Sequence, residues 1–391
     1  MKFLHTADWH LGAKTNGKDR LPEQKKVLDE ILSIANHENV DCVIIAGDVF
    51  NSSNPSSEAE EVFFETIEKL SGGGDRFVFV LAGNHDDPVR LTAGLPLAGK
   101  HNIALVSSLD KLNEKSFNDT GVVKLVETGR GHIKIKKNEE IATIAYLPYP
   151  SEVRIKTKID ADHELTYGEK VKAWSEIGAS AFSNEGVNIF VSHLFMVGSR
   201  SNSEVIKVGD FLAVAKDMLP KADYIALGHM HSAQDLGDNI HYSGSITELS
   251  IKQKNLGVNI FETESGRVID FKQVKLKNVS SYLKLRVSSI EDAEEKLSSY
   301  DDSDIIELEI EQKEPLSASR LKALKKNFAC ISTIALIRDI VEDTVNQKAS
   351  RKLMSDEELF KQFYVSMRGI EPSAELTQMF VECKGEDNEA N

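Results

Sequence analysis

Cysteine is scarce in this chain of 391 residues: Cys42, Cys330 and Cys383 stand apart, with no CxxC pair and no even set. That excludes a disulfide framework and fits a reducing cytoplasm, with Cys42 serving as packing inside an apolar strand. Long apolar runs are also missing. None approaches the roughly 20 residues that span a bilayer, so no membrane association is expected. The opening MKFLHTADWHLG is broken at once by His5 and Asp8 and does not read as a signal peptide. Basic excess is missing too. A formal net charge of −15 argues against a protein that grips nucleic acid over its whole surface. There is no internal repeat and no long low-complexity tract.

What is present has a globular composition, 41% hydrophobic and 28% charged, at a length that suggests two or three domains. Short apolar runs at 2–6, 41–46, 77–82, 141–147, 187–192 and 222–227 read as strands buried on both faces. Between them lie helical patterns. One opens at Pro22 with Val27, Leu28, Ile31, Leu32 and Ala35 on one face; others cover 56–70, stopped by Gly72-Gly73-Gly74, and 165–182. Runs at 258–260 and 268–276 close a layered α/β domain. From about residue 280 a strand–helix–strand–helix–strand pattern predicts a small α+β module, ending near 341. A polar stretch over 342–355 reads as a linker. Leu359, Phe360, Phe363, Tyr364 and Met367, then Leu376, Met379 and Phe380 beyond the break at Gly369 and Pro372, read as a greasy helical hairpin before an acidic tail.

The chemistry lies at the strand ends. The first strand runs into Asp8-Trp9-His10, the second into Gly47-Asp48 and the third into Gly83-Asn84-His85-Asp86. The run at 187–192 leads to His193, and that at 222–227 to Gly228-His229-Met230-His231. In a layered α/β sheet such ends converge on one crevice. Asp8 and His10 are two residues apart, as are His229 and His231, so in extended backbone each pair projects to one side. Carboxylate, imidazole and amide oxygen without thiolate suit a divalent ion such as Mn, Fe or Zn. Asp8, His10, Asp48, Asn84, His193, His229 and His231 are too many ligands for one ion and right for two, if one carboxylate bridges. Asp48, after a Gly on a central strand, is the natural bridge. His5, within the first strand, reads as a satisfied core residue, and His37, His101, His132, His163 and His241 as surface or loop residues.

The order DxH, GD, GNHD, SH, GHxH resembles the calcineurin-like metallophosphoesterase superfamily. Within it, HTADWHLG, DCVIIAGDVF, VLAGNHDDP, ADYIALGHMH and YSGSITELS are similar to the SbcD-type nuclease subunits of bacterial SbcCD complexes. These motifs cover about the first 260 residues.

The resemblance implies a layered β-sandwich core flanked by helices over 1–278, a small α+β capping domain over 279–341, and a linker with a C-terminal helical partner-binding region over 342–391. It implies one metal on Asp8, His10, Asp48 and His231 and a second on Asp48, Asn84, His193 and His229. The pair is expected to be manganese, with Mg, Fe or Zn as alternatives. His85 would be the catalytic residue facing the scissile phosphate. Three residues after Asp48, where relatives carry Asp or His, stands Asn51. Its neutral amide can orient His85 but does not stabilise an imidazolium as a carboxylate does; the same residue also suits the turn at Asn51–Pro55.

The implied activity is double-strand exonuclease and single-strand or hairpin endonuclease action in DNA repair, recombination and replication. The implied partners are DNA and an SbcC-like ATPase, gripped at its coiled coil through the C-terminal helical region, with a homodimer inside a heterotetramer. The implied location is the cytoplasm, at the nucleoid when DNA is bound. Candidate phosphate contacts near the motifs are Lys14, Lys18, Arg20, Arg90 and Arg200, backbone contacts that position but do not specify. Lys134–Lys137 reads instead as one face of an exposed hairpin. The alternative is a metallophosphoesterase for a small phosphomonoester or cyclic nucleotide, for which the extra module and hairpin have no use.

Overall fold

A computed structural model describes residues 1–151, 165–201, 204–205, 212–251, 253, 256–311 and 316–337, together with 358, 360–361, 363–365, 371–373 and 376–377. The sequence-read linker, Leu359, Met367, Gly369, Met379, Phe380, His163 and Cys383 lie outside these residues.

Two sheets face each other. The first has six strands in the order Arg267–Lys275, Gly257–Glu264, Lys2–Thr6, Cys42–Ala46, Phe77–Leu81, Ile103–Val106. Its last four run parallel, and Gly257–Glu264 pairs antiparallel with Lys2–Thr6. The second has seven, in the order Gln234–Asp235, Ile240–Tyr242, Tyr224–Gly228, Val187–His193, Glu140–Leu147, His132–Lys137, Lys124–Gly129. Residues alternate faces along each strand. Cys42, Ile44, Phe77 and Phe79 therefore enter the core between the sheets with Ile144, Tyr146, Ile189 and Tyr224. Val43, Ile45, Val78 and Val80 pack on the other side against Val27, Leu28 and Ile31 of helix Leu21–His37 and Phe63 and Ile67 of helix Ser57–Ser71. Ser56 caps the latter helix by accepting from the Ala59 amide, and Gly72 ends it in the left-handed region at φ 57°. Helix Tyr167–Ala179, opened by a Thr166/Glu169 capping box, adds Val171 and Trp174 to the core of the second sheet.

The layered sandwich is thus the α/β core that the strand pattern predicts, and Lys134–Lys137 lies in a hairpin strand whose Ile133 and Ile135 are buried. The short strands at 103–106, 234–235 and 240–242 were not read from the sequence. The described residues between 282 and 337 form a three-stranded parallel sheet with helices Ile290–Leu297 and Ala318–Asn327 and a core of their own, built on Val287, Ile290, Leu297, Leu308 and Leu324. Among the described residues no helix is long and apolar enough to cross a membrane.

Candidate metal centre

The loops after the parallel strands of both sheets meet at one mouth of the sandwich, stitched by main-chain bonds. The Asp8 amide donates to the Gly47 carbonyl at 3.0 Å and the His10 amide to the Asp48 carbonyl at 3.0 Å. Within the first sheet the Asp48 carboxylate also accepts from the His85 amide at 2.9 Å. Stitching crosses between the sheets as well: the Asp8 carboxylate accepts from the His229 amide at 3.0 Å, and His193 Nδ1 donates to the Ala46 carbonyl at 2.9 Å. These approaches leave no room for side chains at the motif glycines. A Cβ on Gly228 would lie 1.9 Å from the Ala46 oxygen, and one on Gly83 2.2 Å from Asp48 Oδ1. Asp8, His10, Asp48 and His229 all hold positive φ, between 46° and 97°. Such backbone is costly for residues with side chains and persists where the surroundings impose it.

The side chains gather in three groups of candidate ligands: Asp8, His10 and His231; Asp48, His193 and His229; and His10, Asp48 and His85, which overlaps the other two. Asn84 Oδ1 lies 3.1 Å from His193 Nε2. Asp48 Oδ2 lies 3.3 Å from His193 Nε2 and 3.6 Å from His10 Nε2, so this carboxylate stands between the groups. The sequence-read ligands are thus brought together.

Ring nitrogens also confront one another. His10 Nε2 and His231 Nε2 are 3.1 Å apart, as are His193 Nε2 and His229 Nδ1. Burial pushes the His10 pKa down to about 3 and that of His231 to about 4, which keeps these rings neutral with lone pairs to offer. Burial raises Asp8 to about 7, with Asp48 adding to the effect and His193 opposing it. For His193 burial acts downward, but Asp48 and Asp8 outweigh it and lift the ring to about 9. Neutral His10 and His231 rings facing each other, and carboxylates whose call for positive charge is met by a proton on His193, are the donor set of a divalent cation site; the His193 Nδ1 bond to a carbonyl leaves Nε2 as the nitrogen that would bind an ion in place of that proton.

His85 stands at the rim, exposed, its ring T-shaped to His10 at 4.8 Å between centroids. Its Nδ1 donates to the main-chain carbonyl of Asn51 at 2.7 Å, which leaves Nε2 for the cleft. The support from Asn51 thus comes through its backbone rather than its side-chain amide. A cleft of about 420 Å³ opens here, lined by Asp48, Asn84, His85, Arg200, His229 and His231, with Phe195, Met230 and Leu249 as its apolar members.

A calcineurin-like phosphoesterase family model matches residues 1–233. The chain belongs to the calcineurin-like phosphoesterase family. Membership makes it a metal-dependent hydrolase that uses divalent ions, to which the grouped Asp and His residues are suited. The SbcD component of the nuclease SbcCD from Bacillus subtilis (strain 168) is 32% identical over 404 aligned residues, 98% of this chain and 97% of its own length. The corresponding component of nuclease SbcCD from Staphylococcus epidermidis is 28% identical over 71% of this chain and 70% of its own.

The cations near the site separate by placement. Arg200 lines the cleft; its amide donates to Gln234 Oε1 at 2.7 Å and its carbonyl accepts from Gln234 Nε2 at 2.9 Å, so its backbone is fixed. Lys14 is exposed. Arg90 is paired with Glu60 at 3.0 Å. Three expectations are corrected. Arg20 is 1% exposed and paired with Glu23 at 2.7 Å, so it is out of reach of a phosphate. The Lys18 ammonium donates to the main-chain carbonyls of Asp302 and Asp304 in the small module. His241, expected at the surface, is buried in strand Ile240–Tyr242 and stacked on Tyr224.

Sequence reasoning passed over two supporting residues. Buried Asp86 accepts from the amides of Phe50 and Gly83 at 2.9 Å and of Val49 at 3.1 Å, tying the GNHD loop to the GD loop. Buried Gln253 donates to the His231 and Thr247 carbonyls and accepts from the Leu249 amide. The Asp in GNHD was visible as the last letter of its motif; Gln253 carries no local signal.

Proposed function

We propose that the chain is the nuclease subunit of an SbcCD-type complex and hydrolyses DNA phosphodiesters, as a double-strand exonuclease and a single-strand or hairpin endonuclease. The observation that carries the reading is His85: an exposed histidine at the rim beside His10 and Asp48, fixed by the Asn51 carbonyl and facing a cleft shared with the buried candidate ligands. Asp8, His10, Asp48 and His231 would hold one ion, and Asp48, Asn84, His193 and His229 the other. Manganese is the first choice for this oxygen and imidazole set, with Mg, Fe or Zn behind it. When bound, such a pair supplies Lewis acidity at the phosphate and an activated water. The protein fixes the ligands through strained, stitched loops. His85 Nε2 donates toward the developing charge on the phosphate and the leaving oxygen. Arg200 offers a guanidinium to a neighbouring phosphate.

The similarity to a nuclease component of SbcCD over 98% of the chain supports an SbcC-like ATPase partner; a homodimer within a heterotetramer is part of the same proposal. We assign residues 1–278 to the nuclease core, 279–341 to a capping domain and 342–391 to partner binding. Phe363, 62% exposed, and Val365 offer an apolar surface in that last segment. The test is manganese-dependent cleavage of an end-labelled DNA hairpin by the full chain, with and without the ATPase, beside turnover of a small phosphomonoester. DNA products that vanish in His85→Leu with metal content intact are expected. Turnover of the monoester alone would overturn the nuclease reading in favour of a small-molecule phosphoesterase.

A further inference from the structure

The cleft is lined by polar and apolar side chains alike, and among the apolar ones, Phe195, Met230 and Leu249, Phe195 is the aromatic ring. Phe195 follows His193 by two residues, on the extension of strand Val187–His193. Its backbone is pinned: the Phe195 carbonyl accepts from the Val214 amide at 2.9 Å, and the preceding Leu194 carbonyl accepts from the Tyr242 hydroxyl at 2.7 Å. Its ring lies T-shaped to His229 with centroids 3.8 Å apart, half-buried, and lines the cleft near Leu249. A phosphate has no use for such a surface. A rigid, half-open ring beside a charged centre suits a ligand with a π-face next to its phosphate. Phe195 packs directly on His229, one of the candidate ligands, and a base stands one sugar away from its phosphate.

We propose that Phe195 is the platform on which the base of a nucleotide adjoining the scissile phosphate stacks. This rests on the nuclease reading and narrows it, because the nucleotide at the cut must present its base unpaired. The subsite is tolerant of sequence. The amide of Gln253, also on the cleft, is committed to main-chain partners and the Ser245 hydroxyl and reads no base edge.

The test uses the full chain with manganese and a 5′-labelled single-stranded oligonucleotide carrying one abasic nucleotide, resolved at single-nucleotide steps. Cleavage at phosphates remote from the abasic position serves as control for folding and metal loading in each lane. The wild type is expected to cut the phosphate on one side of the abasic nucleotide about tenfold more slowly than remote ones, the range of base–aromatic stacking. Phe195→Leu, which keeps bulk against His229, is expected to cut all phosphates more slowly and to lose the dip; Phe195→Tyr is expected to keep it. A second readout is 2-aminopurine fluorescence in a His85→Leu background, quenched on binding when Phe195 is present and unquenched when Phe195→Leu is added. A wild-type ladder without a dip, or a dip that persists in Phe195→Leu, overturns the stacking subsite while leaving the nuclease reading intact. Absence of any DNA cleavage overturns both.

Discussion

At the scale of single residues, the site depends on side chains that touch no substrate. Asp86 is the clearest. Its two oxygens accept three main-chain amides from two loops, so each loop's position is a condition of the other's. Asp86→Asn keeps the size but turns one acceptor into a donor facing an amide. We expect a loss of about 1–3 kcal/mol in denaturant unfolding for the orphaned amide, together with weaker manganese binding by calorimetry. Unchanged metal affinity would show that the loops hold without it. His5 makes a different point. Its Nδ1 meets the Tyr224 hydroxyl at 3.2 Å in the core, and burial lowers its pKa to about 3. The folded state therefore binds no proton there between about 3 and 6.5, while the unfolded state does. Stability from this residue is full above the unfolded value and lost as pH falls through that window. Metal-free His5→Gln is expected to show a stability–pH slope about 1.4 kcal/mol per unit shallower than wild type across it. Parallel slopes would mean that His5 titrates normally.

At the scale of elements, strand ends and their glycines set the geometry. Gly228 ends strand Tyr224–Gly228 where the Ala46 carbonyl of the opposite sheet comes closest, the same carbonyl that fixes His193. Gly228→Ala must push the sheets apart or displace His193. We expect it to abolish tight metal binding while the circular dichroism spectrum stays that of a folded chain; a fully metal-loaded variant would show that the crossing is slack. These elements were legible because their pattern is local. Strands buried on both faces read as plain apolar runs, and ligands at their ends stand out as polar breaks. The ribbon from Lys14 to Asp19 was not legible. Its two-residue strands carry no period, and its purpose is remote: Asn16 reaches Tyr282 and Glu307, and Lys18 reaches carbonyls near 302–304, nearly 300 residues on. Cations next to a metal motif look like phosphate contacts until the fold shows what else lies within reach. Arg20 misled for the same reason, since an arginine paired with Glu23 three residues later gives no sign of being buried. The Asn51 contribution was half legible. Position was readable, but a main-chain carbonyl is present at every residue and marks none.

At the scale of the whole molecule, the charge of −15 and the placement of cations bear on how DNA is held. Of the five basic residues near the motifs, Arg20 is buried, Lys18 is engaged by the small module and Arg90 is paired with Glu60. Arg200 in the cleft and exposed Lys14 are left to meet phosphates. Each phosphate neutralised on duplex DNA contributes about −0.9 to the slope of log affinity against log salt. The chain alone is therefore expected to bind DNA with a slope no steeper than about −2, and weakly, since the acidic surface repels the strand beyond the cleft. Arg200→Gln should flatten that slope by about one contact. Adding the ATPase partner should steepen it, because a second protein would then supply the backbone contacts that this one lacks. Fluorescence anisotropy of labelled duplex across a salt series, in calcium to suppress cleavage, reads all three. A steep slope for the isolated chain would place a basic surface somewhere outside these five residues. An unchanged slope on adding the ATPase would mean that the partner contributes no phosphate contacts, leaving the cleft itself to hold the DNA.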